Sequence, residues 1–298
     1  MKTISLLNNN VITGTVCAGA VLLMATAASA QTLYESEQYT GAINVFNSSG
    51  DATTFVPSTE SLGEQIAFNS SGDLFVGNNN GPSITEITPN GTPSSFGSGF
   101  SNPNGVAVNI AGDVFVANAG NGEIMEVTPN GSSQSLFASG LDQPGFLAFN
   151  KAGDLFESDF GSGNIYEFAP DKTQTLYASG FQSPTGLAFN TAGNLFVSSA
   201  LNGGSVSEII SPGATPITTT IITDLDNAQG LAFDNAGNLF IAVNGGSIEE
   251  VTSSGDKVFS TQVDSPIGLA FAPAPEPSTL ALLAMGASAV ALRLRRIK

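Results

Sequence analysis

The chain has 298 residues, with 34 Gly, 15 Pro, 20 Phe, no Trp and no His, and a formal net charge of −17 at pH 7. The missing histidine excludes Ser-His-Asp and Cys-His catalysis and removes the commonest transition-metal ligand, and the single cysteine, Cys17, lies in an apolar N-terminal stretch, so nothing after it can form a disulfide or a zinc thiolate. Between Gln31 and Pro273, 24 acidic residues stand against Lys151, Lys172 and Lys257, a net of −21 that repels phosphate backbones and excludes nucleic acid as a partner.

Lys2 precedes an apolar run from Val11 to Ala27, which ends in Ala28-Ser29-Ala30 followed by Gln31. A charged start, an apolar core and a small-residue cleavage site predict a signal peptide over residues 1–30, cut between Ala30 and Gln31. Export follows from that reading.

The middle of the chain is one unit written repeatedly. Ile66-Ala-Phe-Asn69, Val106-Ala-Val-Asn109, Leu147-Ala-Phe-Asn150, Leu187-Ala-Phe-Asn190, Leu231-Ala-Phe-Asp234 and Leu269-Ala-Phe-Ala272 recur at steps of 40, 41, 40, 44 and 38 residues. Each of the first five leads into a turn opened by Asn or Asp, with Gly three residues later, and then a second apolar run such as Leu74-Phe-Val76. That turn predicts a bulged hairpin. A third strand follows, as in Ile84-Thr-Glu-Ile87, then a turn such as Pro89-Asn90-Gly91 and a fourth strand. Four antiparallel strands in about 40 residues make one propeller blade.

After Gln31 come only three strands, near Leu33, Ile43 and Thr53, while the last repeat supplies only Ile267 to Phe271. Joined, they complete a blade. The predicted fold is therefore all-β: a six-bladed β-propeller of four-stranded blades over residues 31–273, one blade closed by both chain ends, with no open sheet edge along the ring.

Turns one and three of each repeat are nearly uniform and read as scaffold. The connections on the opposite face vary from blade to blade and carry Asn78, Asn118, Asp159 and Asn244, with the inter-blade links bringing Glu64, Asn104 and Gln229 to the same side. These oxygen donors suit a divalent metal such as calcium, or the hydroxyls of a sugar. Asn and Asp also build turns without any ligand, so both readings stand at this level.

At the C-terminus, Pro275-Glu276-Pro277-Ser278 precedes an apolar stretch from Thr279 to Leu292, then Arg293, Arg295, Arg296 and Lys298. Residues 274–298 thus predict a transmembrane helix with a cytoplasmic basic end. The order of these features resembles the PEP-CTERM sorting signal of Gram-negative bacteria. That resemblance implies processing by an exosortase near the triplet, transient anchoring in the inner membrane, and a final place in the cell envelope or extracellular matrix of bacteria that make exopolysaccharide.

The phrase Gly-Leu-Ala-Phe-(Asn/Asp)-x-Ala-Gly-Asn-Leu-Phe, at Gly186 to Phe196 and Gly230 to Phe240, resembles NHL repeats and the related SMP-30/gluconolactonase propellers. WD40 signatures need His and Trp and are excluded. In SMP-30-like lactonases Glu, Asn and Asp oxygens hold a divalent metal in the central pocket. The resemblance implies such a role for Glu64 and Asn104, with Asp159 and Gln229 as further candidates. Streptogramin-lyase-like propellers resemble the fold as well but rely on histidine. The residues favour a non-catalytic binding or structural protein presenting its polar face to glycans, calcium or matrix partners, with a metal-dependent lactonase as the alternative.

Overall fold

In each repeat, local sequence builds the first hairpin. Asn69 Oδ1 accepts the backbone N–H groups of Ser71 and Asp73 at 3.0 and 2.9 Å, and Nδ2 donates to Asp73 Oδ2 at 2.9 Å. Gly72, at φ +86°, donates its N–H to the Asn69 carbonyl at 3.2 Å, a left-handed position that costs glycine no Cβ clash. Asn109 and Asn150 make the same three bonds, Asn190 Oδ1 accepts the Asn194 N–H at 2.9 Å, and Asp234 accepts the Ala236 and Asn238 N–H groups together with an Asn238 Nδ2 hydrogen.

The structure is a computed structural model that describes residues 31–58, 63–201, 203–211 and 216–273. Ala30 and the rest of the predicted signal peptide lie outside the described residues, as do Pro275, Glu276, Pro277, Arg293, Arg295 and Arg296 and the predicted C-terminal helix. Blade 1 contains β1 (Leu33–Glu37), β2 (Ile43–Phe46) and β3 (Ala52–Val56), and blade 2 contains β4 (Gly63–Phe68), β5 (Leu74–Asn78), β6 (Ile84–Ile87) and β7 (Pro93–Phe96). Blade 3 runs through β8 (Pro103–Val108), β9 (Val114–Asn118), β10 (Glu123–Val127) and β11 (Gln134–Ser139), and blade 4 through β12 (Pro144–Phe149), β13 (Leu155–Asp159), β14 (Asn164–Phe168) and β15 (Gln174–Ser179). Blade 5 has β16 (Pro184–Phe189), β17 (Leu195–Ser199), β18 (Ser205–Ile210) and β19 (Ile217–Thr223), and blade 6 has β20 (Ala228–Phe233), β21 (Leu239–Val243), β22 (Ser247–Thr252) and β23 (Gly255–Ser260). The last strand, β24 (Pro266–Phe271), pairs antiparallel with β1 and gives blade 1 its innermost strand. Among the described residues there is no helix.

Burial peaks at the second strand of blades 2 to 6 and falls toward the rim. The second strands of blades 2 to 6 are buried at every position, whereas the outer strands are mostly exposed. Apolar side chains pack between adjacent blades, as where Phe75, Ile84 and Phe96 of blade 2 meet Val106, Val114 and Val116 of blade 3. Aromatic rings reinforce these seams edge to face: Phe115 stands 4.9 Å from Phe137 and 5.1 Å from Phe149, and each such pair adds roughly 0.5–1.5 kcal/mol beyond its burial.

Buried serines tie neighbouring inner strands together. Ser158 on β13 accepts the Phe146 N–H of its own blade at 2.9 Å and donates to the Thr185 carbonyl of the next at 2.7 Å. Ser198 does the same between Gly186 and Gln229, and Ser36 between Gly268 and Glu64. Each latch satisfies a donor and an acceptor that would otherwise be orphaned at the blade junction. The inner strands are thereby held around the axis.

Candidate functional site

At one end of the axis, residues from three repeated positions converge on a cavity of about 700 Å³, the first in all six blades, the second in five and the third in three. The second residue of every inner strand lines it: Glu64, Asn104, Gly145, Thr185, Gln229 and Ile267. So does the residue just after the second strand in five blades, Gln38, Asn79, Ala119, Phe160 and Ala200. The third position precedes the inner strand. There Asn102, Gln143, Ser183 and Asn227 adopt φ of 51, 59, 51 and 62°, and their carbonyls accept the N–H groups of Ala119, Phe160, Ala200 and Asn244 at 3.1 to 3.3 Å. These left-handed residues turn the link sharply, and the bond to the neighbouring loop holds a backbone shape that non-glycine residues seldom adopt.

The cavity has two unlike sectors. Blades 6, 1, 2 and 3 contribute Asn227, Gln229, Gln38, Glu64, Asn79, Asn102 and Asn104, with Ile267 and Ala119 among them, whereas blades 4 and 5 contribute the larger apolar side chains Phe146, Phe160, Pro184 and Leu201 with Ala200, broken by Gln143 and Thr185. Phe146 and Gln65 stand where the other four inner strands carry Gly105, Gly186, Gly230 and Gly268. Glycine is needed there for close approach, since a Cβ on Gly230 would lie 2.2 Å from the Ile267 carbonyl oxygen. Gln65 instead reaches past its neighbour: Nε2 donates to the Leu147 carbonyl at 2.7 Å, and Oε1 accepts the N–H groups of Val106 and Leu147 at 3.0 and 2.8 Å. One side chain thus joins blades 2, 3 and 4.

Glu64 is the one carboxylate among the described lining residues, and no lysine or arginine lines the cavity. Its side chain is buried, and Oε1 accepts the Asn79 Nδ2 hydrogen at 2.9 Å. Burial pushes the carboxyl up to about 7, against the opposing effect of the Asn79 bond. Asn104 Oδ1 is buried within the wall and has no hydrogen-bond partner, an unsatisfied acceptor behind the cavity surface. Gln229 Nε2 donates to Asn227 Oδ1 at 2.6 Å.

The structure therefore brings Glu64, Asn104 and Gln229 to one wall and leaves the other candidates elsewhere. Asp159 faces its own loop, its carboxylate accepting the N–H groups of Asp142 and Ser162 at 2.8 and 3.0 Å. Asn78 donates to the Ser83 carbonyl at 3.0 Å and the Thr85 hydroxyl at 2.9 Å. Asn118 accepts the Ser101 N–H and donates to Glu123 at 3.4 Å. All three end a second strand, where a short polar side chain closes the connection. Asn244 stands behind the wall and donates to Gln38 Oε1 at 3.1 Å. Gln31 accepts the Asn235 N–H at 2.9 Å, away from the cavity.

A divalent metal of the lactonase kind does not fit this donor set. Glu64 is the one carboxylate of the wall, Asp159 is committed to backbone, and the positions equivalent to Glu64 in blades 4, 5 and 1 are Gly145, Thr185 and Ile267. Among the described residues no three Asp, Glu, His or Cys side chains cluster as metal ligands. A hard cation needs several charged or strongly polar oxygens at once.

Sequence reasoning missed Gln38, Asn102, Gln143, Asn227, Phe146 and Phe160. Their signal was present in the repeat alignment, one residue before each inner strand and one after each second strand. Phe146 was visible as the only aromatic residue at a position that is otherwise glycine or glutamine.

Residues 273–296 match the PEP-CTERM protein-sorting motif, which indicates export and membrane-anchored sorting in bacteria and implies processing by an exosortase-type system. No curated protein matches the chain. Among solved structures, a chain of the nidogen/laminin complex aligns with TM-score 0.72 at 16% identity, over 82% of this chain and 99% of that one. A virginiamycin B lyase from Staphylococcus aureus aligns with TM-score 0.62 at 17% identity, over 81% and 87%. A gluconolactonase from Xanthomonas campestris aligns with TM-score 0.60 at 15% identity, over 83% and 86%. Likeness at this identity establishes the shared propeller fold, which hosts unrelated functions.

Proposed function

We propose that this six-bladed propeller with a PEP-CTERM sorting motif is an exported, surface- or matrix-associated binding module, and that its central cavity takes an uncharged ligand rich in hydroxyl or amide groups. The carrying observation is the wall itself: seven amide or carboxyl side chains in one sector, and no cationic side chain among the described lining residues. Amides offer donors and acceptors together, which matches hydroxyl groups and gives no preference for an ion. The net of −21 repels anionic ligands. Glycans of the cell surface or matrix have the required chemistry.

Catalysis has weaker support. A histidine-to-alanine form of the S. aureus lyase is catalytically inactive, and this chain has no histidine. The lactonase reading rests on Glu64 and Asn104 sharing one cavity. The test is calorimetric titration of residues 31–273 with uncharged oligosaccharides, alongside a lactone-hydrolysis assay with added calcium or manganese. Saccharide binding that Asn104→Ala and Gln229→Ala weaken at least about tenfold, without lactone turnover, is expected. Metal-dependent turnover abolished by Glu64→Ala would overturn the reading in favour of the hydrolase.

A further inference from the structure

Each blade ends at the rim in an outer strand that pairs on one side only. Such edges present unpaired N–H and C=O groups to any other strand, and proteins blunt them with charge, proline or covering side chains. Most of these edges are blunted. The first N–H of β3, on Ala52, donates to Gln262 Oε1 at 2.9 Å. β7 opens on Pro93, β11 has its Leu136 carbonyl covered by the Lys172 ammonium at 3.3 Å, and β23 carries Asp256 and Lys257. β15 starts just after the Asp171-Lys172 pair.

β19 differs. It is the longest strand of the described residues, seven residues reading Ile-Thr-Thr-Thr-Ile-Ile-Thr, all exposed except a half-buried Ile222. Every residue is β-branched, the type best suited to pleated pairing, and the sequence has no charge from Ile209 to Thr223. From Ile217 to Thr220 it runs in unbroken register with β18, before the bulge at Ile221. Beside it, Ile210 and Ile217 form an exposed cross-strand pair.

We infer that β19 is a self-association edge, along which two copies of this chain pair antiparallel to make one eight-stranded sheet across a two-fold axis. The occupant is a second copy because the strand complements itself. Any antiparallel alignment of β19 with itself sets Ile or Thr opposite Ile or Thr, pairs that stabilise a sheet, and no like charges meet along it. The rest of an acidic surface opposes approach of a second copy, so this uncharged edge is where that opposition is least. An isologous contact of this kind closes at the dimer.

The experiment is sedimentation of residues 31–273, which hold all 24 strands and the closing β24–β1 pair, across protein concentration and salt. A concentration-dependent dimer is expected, strengthened by salt as the acid–acid repulsion is screened. Thr219→Lys should weaken it at least about tenfold while leaving thermal unfolding of the monomer unchanged. A second readout uses oxidative cross-linking, which is clean because Cys17 lies outside this fragment. With the two-fold axis at Thr219, inside the unbroken stretch, Thr219→Cys should give disulfide-linked dimers, and Thr54→Cys on β3 should not. A monomer at every concentration and salt, a dimer indifferent to Thr219→Lys, or equal cross-linking from β3 would each overturn the proposal.

Discussion

Glu157 is fully buried on β13, and neither carboxylate oxygen has a hydrogen-bond partner. Its cross-strand neighbours are Leu147 and Tyr166, and Leu147 belongs to the apolar cluster between blades 3 and 4. Burial, and then the Asp159 charge, raise its carboxyl well above the usual range, against a weaker pull from the nearby Gly145 N–H, which is too poorly placed to count as a hydrogen bond. Glu35 occupies the same strand position in blade 1, raised to about 8 by burial, with the Asn44 bond opposing and the Glu37 charge adding. Both groups bind a proton in the folded chain at pH values where the unfolded chain has released it. Stability therefore falls as pH rises from about 4.5 toward 8, where the folded Glu35 itself ionises. Blades 2, 3 and 5 place Val76, Val116 and Val197 at this position. Glu157→Val should stabilise the propeller by roughly 1–3 kcal/mol at about pH 8, the cost of an unsatisfied buried polar group. It should also lessen the loss of stability between about pH 5 and pH 8. Equilibrium urea unfolding at both pH values checks this, and a variant less stable than the parent at the higher pH would refute it. Nothing in the sequence around Glu157 announced its burial, because the strand pattern tolerates a polar residue wherever a face meets water.

At the scale of elements, the strands were legible because turn chemistry is local. Asn69 and Gly72 set the first hairpin of their repeat through bonds within five residues of each other, and the same pair recurs down the chain. The serine latches were not legible, since each joins residues from different blades. Ser198 shows their worth most cleanly: blades 3 and 6 hold Ala117 and Ala242 at its position, so alanine fits there sterically. Ser198→Ala should cost roughly 1–3 kcal/mol by orphaning the Gly186 N–H and the Gln229 carbonyl. A change within about 0.5 kcal/mol in denaturant titration, the usual surface value, would mean the latch contributes nothing.

For the whole molecule, closure of β24 on β1 brings the first and last strands to one blade. The sorting motif at residues 273–296 follows the last strand in sequence, so it can be tested apart from the propeller. Glu276→Ala should leave the protein unprocessed and membrane-retained in a host with an exosortase-type system, with the propeller's thermal unfolding unchanged. Fractionation followed by blotting reads the outcome. Normal processing of that variant would show that the triplet is not what the processing enzyme reads.

The sequence by itself determined the blade count, the four-strand unit, the closing blade and the sorting motif, because repeats, turns and tail motifs are written in contiguous residues. It also brought forward Glu64, Asn104 and Gln229, which vary at one repeated position. Only the tertiary structure decided that Asp159, Asn78 and Asn118 serve their own loops, that Phe146 and Phe160 give the cavity an apolar sector, and that Glu157 is sealed between blades. The apolar sector and the seal on Glu157 depend on which residues of different blades meet around the axis, which no local pattern encodes. The bonds of Asn78, Asn118 and Asp159 span only 3 to 17 residues, but whether such a side chain turns into its loop or toward the axis is set by the backbone around it.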